Sequence, residues 1–326
     1  MAVRLTLACG ASDRTWPLIL GDVKPAGIDL TFLRMYPEEV FWRMTRHAEF
    51  DAAEMSMSSY ILRRSRGDEQ VLAIPVFTSR EFRHSCIWVR RDADIDSPQA
   101  LKGKRIGAAE YQLTANVWIR GLLADDYGVQ PADVRWFLGG LYEPGRTEKL
   151  AVTIPGVELN QIAPTQTLSQ MLIDGDIDAV IGPRPPHRFP GPKIRRLFED
   201  FRTVEQDYFG RTGIFPIMHT IVVRRDVLER DPWIARSLYY AFCEAKRLAI
   251  RELADPVVLC TSLPWQVAEV EQTRALMGDD YWPYGLEPNR KNLETLIRYS
   301  CEQGLAARSV AVESLFAPNT LDDYRI

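Results

Sequence analysis

His84-Ser85-Cys86-Ile87-Trp88-Val89-Arg90-Arg91-Asp92 and His219-Thr220-Ile221-Val222-Val223-Arg224-Arg225-Asp226 are one phrase written twice, with one residue of difference in length. Each is an apolar, β-branched run closed by a basic-then-acidic stop, the pattern of a buried strand. Together they hold two of the four histidines in the chain. Phe50-Asp51-Ala52-Ala53-Glu54 precedes the first copy and Ile177-Asp178-Ala179-Val180-Ile181 the second, each a short buried strand after a helical stretch. Earlier again stand Arg4 to Cys9 and Arg105 to Ala109, basic-then-apolar strands. The order strand, helix, Asp-Ala strand, His strand thus occurs twice, which predicts two related halves.

The 326 residues suffice for two lobes of ordinary domain size. A hydrophobic fraction of 46% and a charged fraction of 26% are those of a soluble globular protein. The formal charge of -4 argues against a nucleic-acid partner, since no basic excess exists to meet phosphates. Most of the basic residues are arginine, whose planar fork suits carboxylate ligands. Cys9, Cys86, Cys243, Cys260 and Cys301 form no C-x-x-C pair and are expected as thiols in a reducing compartment. No apolar run is long enough to cross a bilayer, and no room exists for an export signal ahead of the first strand. The expectation is a cytoplasmic protein with no membrane partner.

Strands and helices alternate, which predicts an α/β fold. Strands are expected at Val3–Cys9, Ile28–Leu33, Ala52–Met55, Val71–Phe77, Ser85–Arg90, Arg105–Ala109, Val157–Gln161, Ala179–Gly182 and Thr220–Arg224. Helices are expected from Thr114 to Asp126, stopping before Gly128, and from Pro232 to Leu253, capped by Asp231. Gly278 and Gly304 should end two more. The C-terminal helices have no counterpart in the middle of the chain. Residues 1–84 with 220–326 therefore form one expected lobe and 85–219 the other, with the two His strands as crossings. A ligand cleft is expected where the crossings meet the carboxyl ends of the strands.

Loops that follow strands should face this cleft. They supply Asp13 and Arg14, Ser58, Arg80 and Arg83, Glu110, Tyr111 and Thr114, and the Pro/Gly-rich stretch around Arg184. The turn Gly139-Gly140-Leu141-Tyr142-Glu143-Pro144-Gly145-Arg146 adds a carboxylate and an arginine. Ser58 and Thr114 stand at expected helix starts, where free N–H groups attract anions or where the hydroxyl simply caps the helix. His84 and His219 are the natural proton carriers near neutrality. No H-E-x-x-H, no P-loop, no G-x-G-x-x-G after a strand and no G-x-S-x-G elbow is present.

As a set, several stretches point further. They are Cys9-Gly10-Ala11-Ser12-Asp13-Arg14-Thr15, Ala53-Glu54-Met55-Ser56-Met57-Ser58-Ser59-Tyr60, Phe82-Arg83-His84-Ser85 and Tyr111-Gln112-Leu113-Thr114-Ala115-Asn116-Val117-Trp118. With them go Glu143-Pro144-Gly145-Arg146, Gly182-Pro183-Arg184-Pro185 and Phe215-Pro216-Ile217-Met218-His219-Thr220. Through these the chain resembles the 4,5-dihydroxyphthalate decarboxylase family over nearly its whole length; Thr147 to Ala163 match nothing.

The resemblance implies a two-lobed type II periplasmic-binding-protein-like fold, with two mixed sheets flanked by helices and two hinge-crossing strands. It implies a cofactor-independent carbon-carbon lyase in phthalate breakdown, converting 4,5-dihydroxyphthalate or a close analogue to protocatechuate, and a homo-oligomer as partner state. A divalent metal is left open. On that reading Arg14, Arg83 and Arg184 would hold the carboxylates, aided by Thr114, with Asp13, Ser58, Arg80 and Arg146 nearby. His84 and His219 would divide acid and base duties, with Glu110 or Glu143 in reserve, and Tyr111 and Phe215 would wall the ring. The alternatives are a non-catalytic aromatic-acid binding protein and a different lyase on this fold, such as those resembling menaquinone-pathway members.

Overall fold

The computed structural model describes residues 2–150 and 152–321; the last five residues of the expected first lobe lie outside them. Among the described residues eleven strands form two sheets: β1 (Val3–Cys9), β2 (Ile28–Arg34), β3 (Ala52–Ser56), β4 (Val71–Arg80), β5 (Ile87–Arg90), β6 (Arg105–Ala108), β7 (Arg135–Leu138), β8 (Leu159–Gln161), β9 (Ala179–Ile181), β10 (Ile194–Arg196) and β11 (Ile217–Arg224). One sheet runs β2-β1-β3-β11-β4 and the other β10-β5-β9-β6-β7-β8. Both are mixed. β11 lies antiparallel between β3 and β4, and β5 lies antiparallel between β9 and β10.

The duplicated phrase has a structural counterpart. Each copy is the first strand after a crossing, and each pairs with an Asp-Ala strand: Val223 opposes Ala52 and Val89 opposes Ala179. Asp51 accepts the Thr6 N–H and Asp178 the Arg105 N–H, each at 2.9 Å. The phrase endings also match, with Arg90 donating to Asp92 and Arg224 to Asp226 at 2.9 Å. β5 and β11 are therefore not the crossings themselves. Each belongs wholly to one sheet, and the chain passes between the sheets through 81–86 and 213–216.

The other expectations hold closely. The Thr114–Tyr127 helix ends at Gly128, left-handed at φ 64°. The long C-terminal-half helix spans Trp233–Leu253 and buries Leu238, Phe242, Ala245 and Ala249, while Leu248 is only half-buried. Its N-cap is Pro232 rather than Asp231. β7 and β10 went unpredicted, since Arg-Trp-Phe-Leu and Ile-Arg-Arg are too short and charged to show a period. Among the described residues no helix is long and apolar enough to cross a membrane.

Candidate active site

β3, Ala52-Ala53-Glu54-Met55-Ser56, is buried along its whole length, which makes a carboxylate at its centre costly unless it is paired. Glu54 is 3% exposed and fully engaged. Its Oε1 meets His219 Nδ1 at 2.7 Å and accepts the Thr78 hydroxyl at 2.8 Å. Its Oε2 accepts the Gly10 N–H at 2.8 Å and the Cys9 thiol at 3.4 Å. A Cβ on Gly10 would stand 3.2 Å from that oxygen and 3.3 Å from Pro37, so glycine permits the close approach. Burial pushes the carboxyl pKa up, but the bond and charge of His219, with Gly10 and Thr78, outweigh it and bring it down to about 2.

An ionised Glu54 only accepts, so the proton sits on Nδ1 of His219. Nε2, across the ring, is left to meet a ligand. His219 lies opposite Ser56 on β3 and Ser79 on β4, and register shifts flank it on the β4 side. Bulges of this kind re-aim a side chain out of the ladder. The Phe41 ring meets the imidazole edge-on at 4.7 Å.

His219 opens onto a cavity of about 230 Å³ between the two lobes. From the first lobe Tyr36, Glu38, Phe41, Ser56 and Ser79 line it; from the second, Thr114, Ala115, Lys149, Pro183 and Arg184; from the crossing, Glu81 and Arg83. That volume is below the ~300–1,000 Å³ of sites for drug-sized ligands, and suits one substituted ring. Each cation in the wall already has a carboxylate: Arg83 with Glu81 at 2.9 Å, Lys149 with Glu110 at 2.9 Å, and Arg184 with Glu38 at 3.4 Å. The Thr114–Tyr127 helix points its first turn at the cavity through Thr114 and Ala115, with no side-chain cap. The Thr114 hydroxyl meets Ser56 Oγ at 2.9 Å and accepts the Ser58 N–H at 3.1 Å, tying the lobes at the cavity floor.

Of the residues named from sequence, the cavity gathers His219, Arg83, Thr114 and Arg184. The others stand elsewhere, each for a visible reason. His84 is 1% exposed in a turn before β5, edge-on to Phe198 and Tyr208, with neither ring nitrogen bonded. Burial lowers its pKa to about 4, so it is a neutral core residue. Glu110 is spent holding Arg146 at 2.6 Å and Lys149, which makes it an anchor for the wall rather than a base. Arg146 also reaches Glu38 at 3.5 Å and braces the wall from behind. A Cβ on Gly140 would strike the Glu143 carbonyl at 1.6 Å, so glycine sets the turn that delivers Arg146. Glu143 itself is exposed on that turn and outside the lining.

Arg14 is held by Asp13 at 2.5 Å and the Thr78 carbonyl at 3.1 Å, and lies 3.7 Å over the Trp282 ring. Arg80 is buried against Asn289 and over the Phe77 and Phe215 rings at 5.5 Å, and burial brings its guanidinium pKa down to about 9. Phe215 stacks on Phe82 at 4.8 Å. Tyr111 lies in the core under Arg120, 3.7 Å from its ring, and Ser58 is buried behind Thr114. Among the described residues no three His, Cys, Asp or Glu side chains are grouped to hold a metal ion.

Sequence reasoning gave no role to Glu54, Lys149, Tyr36, Glu38, Phe41, Ser56, Ser79 or Glu81. For Glu54 a signal existed: a carboxylate inside an otherwise apolar strand requires a partner. Lys149 falls in the stretch that carried no pattern.

Residues 27–145 match the family model of ABC-transporter phosphonate periplasmic substrate-binding proteins. Among solved structures, the periplasmic aliphatic sulphonate binding protein SsuA of Escherichia coli superposes with a TM-score of 0.55 at 12% identity, covering 98% of this chain and 99% of that one. The desulfurization enzyme DSZB superposes with a TM-score of 0.50 at 15% identity, covering 98% and 97%. These likenesses show the two-lobed binding-protein fold. A 4,5-dihydroxyphthalate decarboxylase of Pseudomonas putida is 45% identical over 210 residues, 64% of this chain and 81% of that protein. One of Comamonas testosteroni is 41% identical over 327 residues, 99% of both. Identity of that extent, over 99% of both chains, places the chain in the 4,5-dihydroxyphthalate decarboxylase family.

Proposed function

We propose that this protein is a carbon-carbon lyase that removes one carboxylate from 4,5-dihydroxyphthalate or a close analogue, giving protocatechuate and CO2. The substrate class rests on the two relatives. The observation that carries the chemistry is the Glu54–His219 pair opening on a cavity walled by Arg83, Lys149 and Arg184.

Loss of CO2 from a ring carbon would leave an aryl anion unless that carbon is protonated first. Each carboxylate of the substrate lies para to a hydroxyl, so drawing the phenolic proton pushes electron density onto the carbon that must accept a proton. A phenol ordinarily titrates near ~10 and needs a base or a positive field to ionise at neutral pH. The wall cations supply the field and hold the carboxylates, with the open helix start at Thr114. Glu38 and Glu81 are the carboxylates within the lining that can take the phenolic hydrogen bond. His219, charged and oriented through Glu54, gives its Nε2 proton to the ring carbon. The electron pair of the C–CO2 bond then returns to the ring as CO2 leaves, and the phenolic proton goes back from the carboxylate to its oxygen. This sequence asks for no organic cofactor.

The test is incubation with 4,5-dihydroxyphthalate while CO2 and protocatechuate are followed together. Equal amounts of both are expected. Tight binding with no CO2 would overturn the reading in favour of a receptor on the same fold.

A further inference from the structure

Decarboxylation of a dianion to a monoanion and CO2 consumes one proton per turnover, and the charge pattern of the cleft bears on when that proton arrives. The basic side chains of the wall and its supports are Arg83, Arg146, Lys149 and Arg184, and they stand against the carboxylates of Glu38, Glu54, Glu81 and Glu110. With a neutral imidazole at His219 this cluster carries no surplus positive charge. A dianion entering it would leave two negative charges uncompensated, which costs free energy unless a cation forms beside them.

We propose that the aromatic dianion takes up a proton from solvent as it binds, and that the proton is stored on His219 until it passes to the ring carbon. This rests on the decarboxylase reading above. The groups around His219 leave it as the depot. Glu54, which also accepts the Thr78 hydroxyl, meets its Nδ1, Ser56 and Ser79 flank it on the neighbouring strands, and Phe41 covers an edge. The charged lining consists of Glu38, Glu81, Arg83, Lys149 and Arg184. Only the imidazole in this set ordinarily exchanges a proton near neutrality. Glu54, ionised and fully bonded, holds Nδ1 and leaves Nε2 to exchange with the cavity. The chemical step then balances. The Nε2–H bond breaks as the new C–H bond forms, the C–CO2 pair rearomatises the ring, and His219 is left neutral for the next substrate.

One competing depot exists. Glu148, whose Oε1 accepts the Tyr111 N–H, has an unbonded Oε2, and burial, with Glu110 adding, pushes its carboxyl pKa up to about 7. It is outside the cavity lining, however.

The experiment is calorimetric titration with phthalate, the same diacid without the activating hydroxyls, at pH ~8 in phosphate, HEPES and Tris, whose ionisation heats differ. The slope of binding heat against buffer heat counts protons. Uptake of between about half and one proton per phthalate is expected. His219→Gln should reduce it to near zero and weaken phthalate binding to a still measurable level, and Glu148→Gln should leave both unchanged. A zero slope in the unmodified protein overturns the proposal by itself. So does a slope that survives in His219→Gln or disappears in Glu148→Gln. Failure of phthalate to bind a protein that releases CO2 from 4,5-dihydroxyphthalate also overturns it, because the two carboxylates must carry recognition. CO2 release from the same preparation reports separately on the decarboxylase reading.

Discussion

Nδ1 of His219 lies 2.7 Å from Oε1 of Glu54, and the two side chains come from adjacent antiparallel strands, β11 and β3, with Glu54 opposite Ile221 rather than His219. The contact is thus a diagonal one on a single face of the sheet, where side chains two residues apart are neighbours. It fixes the tautomer and aims Nε2 away from Glu54. Glu54 touches no ligand on this account and acts through the imidazole, as a positioning residue.

Glu54→Gln keeps the size of the side chain but removes its charge and its obligatory acceptor role. Turnover should fall by about 10²–10⁴-fold, the usual contribution of acid-base catalysis, with phthalate affinity changed far less. The pH profile of kcat/KM should move as well, which loss of packing alone would not cause. Steady-state kinetics across pH, beside phthalate titration, checks both.

Glu54 also ties stability to acid. Its pKa in the folded protein is about 2 against an ordinary 4.5, so the unfolded chain binds its proton first as pH falls. The contribution is therefore complete above about 4.5 and disappears as pH drops toward 2. Urea midpoints measured through this window should decline in the unmodified protein and decline less in Glu54→Gln. Equal declines would show that Glu54 is not the group responsible.

His84 presents the opposite case of a histidine without chemistry. Its folded pKa is about 4 against 6.5, lowered by burial. The unfolded chain is again the stronger proton binder, so stability is complete above about 6.5 and lost as pH falls toward 4, by roughly 3 kcal/mol. His84→Phe should remove that pH dependence and leave turnover within about twofold. A large loss of turnover in a folded His84→Phe protein would return His84 to the reaction.

Arg184 and Arg14 should separate binding from scaffolding. Arg184 lines the cavity, and truncating it to alanine removes a charge-assisted contact, which predicts a rise in KM of about 10–100-fold. Arg14 lies outside the lining, bonded to Asp13 and the Thr78 carbonyl. Arg14→Ala should lower the melting temperature while affinity changes little. Reversal of the two effects would mean that this cavity is not the binding site.

The sequence made the fold legible because its halves repeat, and the repeat has a physical basis. Asp51 and Asp178 each bond a neighbouring strand's backbone, and β11 and β5 take the same place beside them. The site was less legible, because the two histidines fall in different local structures. Ile221 and Ile87 occupy matching positions, but His219 stands two residues before the first and His84 three before the second. His219 therefore lies within β11, while His84 falls in the turn ahead of β5. One meets the cleft and the other enters the core between Phe198 and Tyr208. The position matching Glu54 in the second half is Ile181, so no second pair could form there. Glu110 misled for a different reason: its bonds to Arg146 and Lys149 span dozens of residues and leave no periodic trace.

The central claim is that His219 delivers the proton that releases CO2. Its most direct test is CO2 evolution from 4,5-dihydroxyphthalate by the unmodified protein and by His219→Gln at matched phthalate occupancy. The account predicts a rate at least about 100-fold lower in the variant, a loss much larger than that in ligand affinity. CO2 release at nearly the unmodified rate by a folded His219→Gln protein would contradict it.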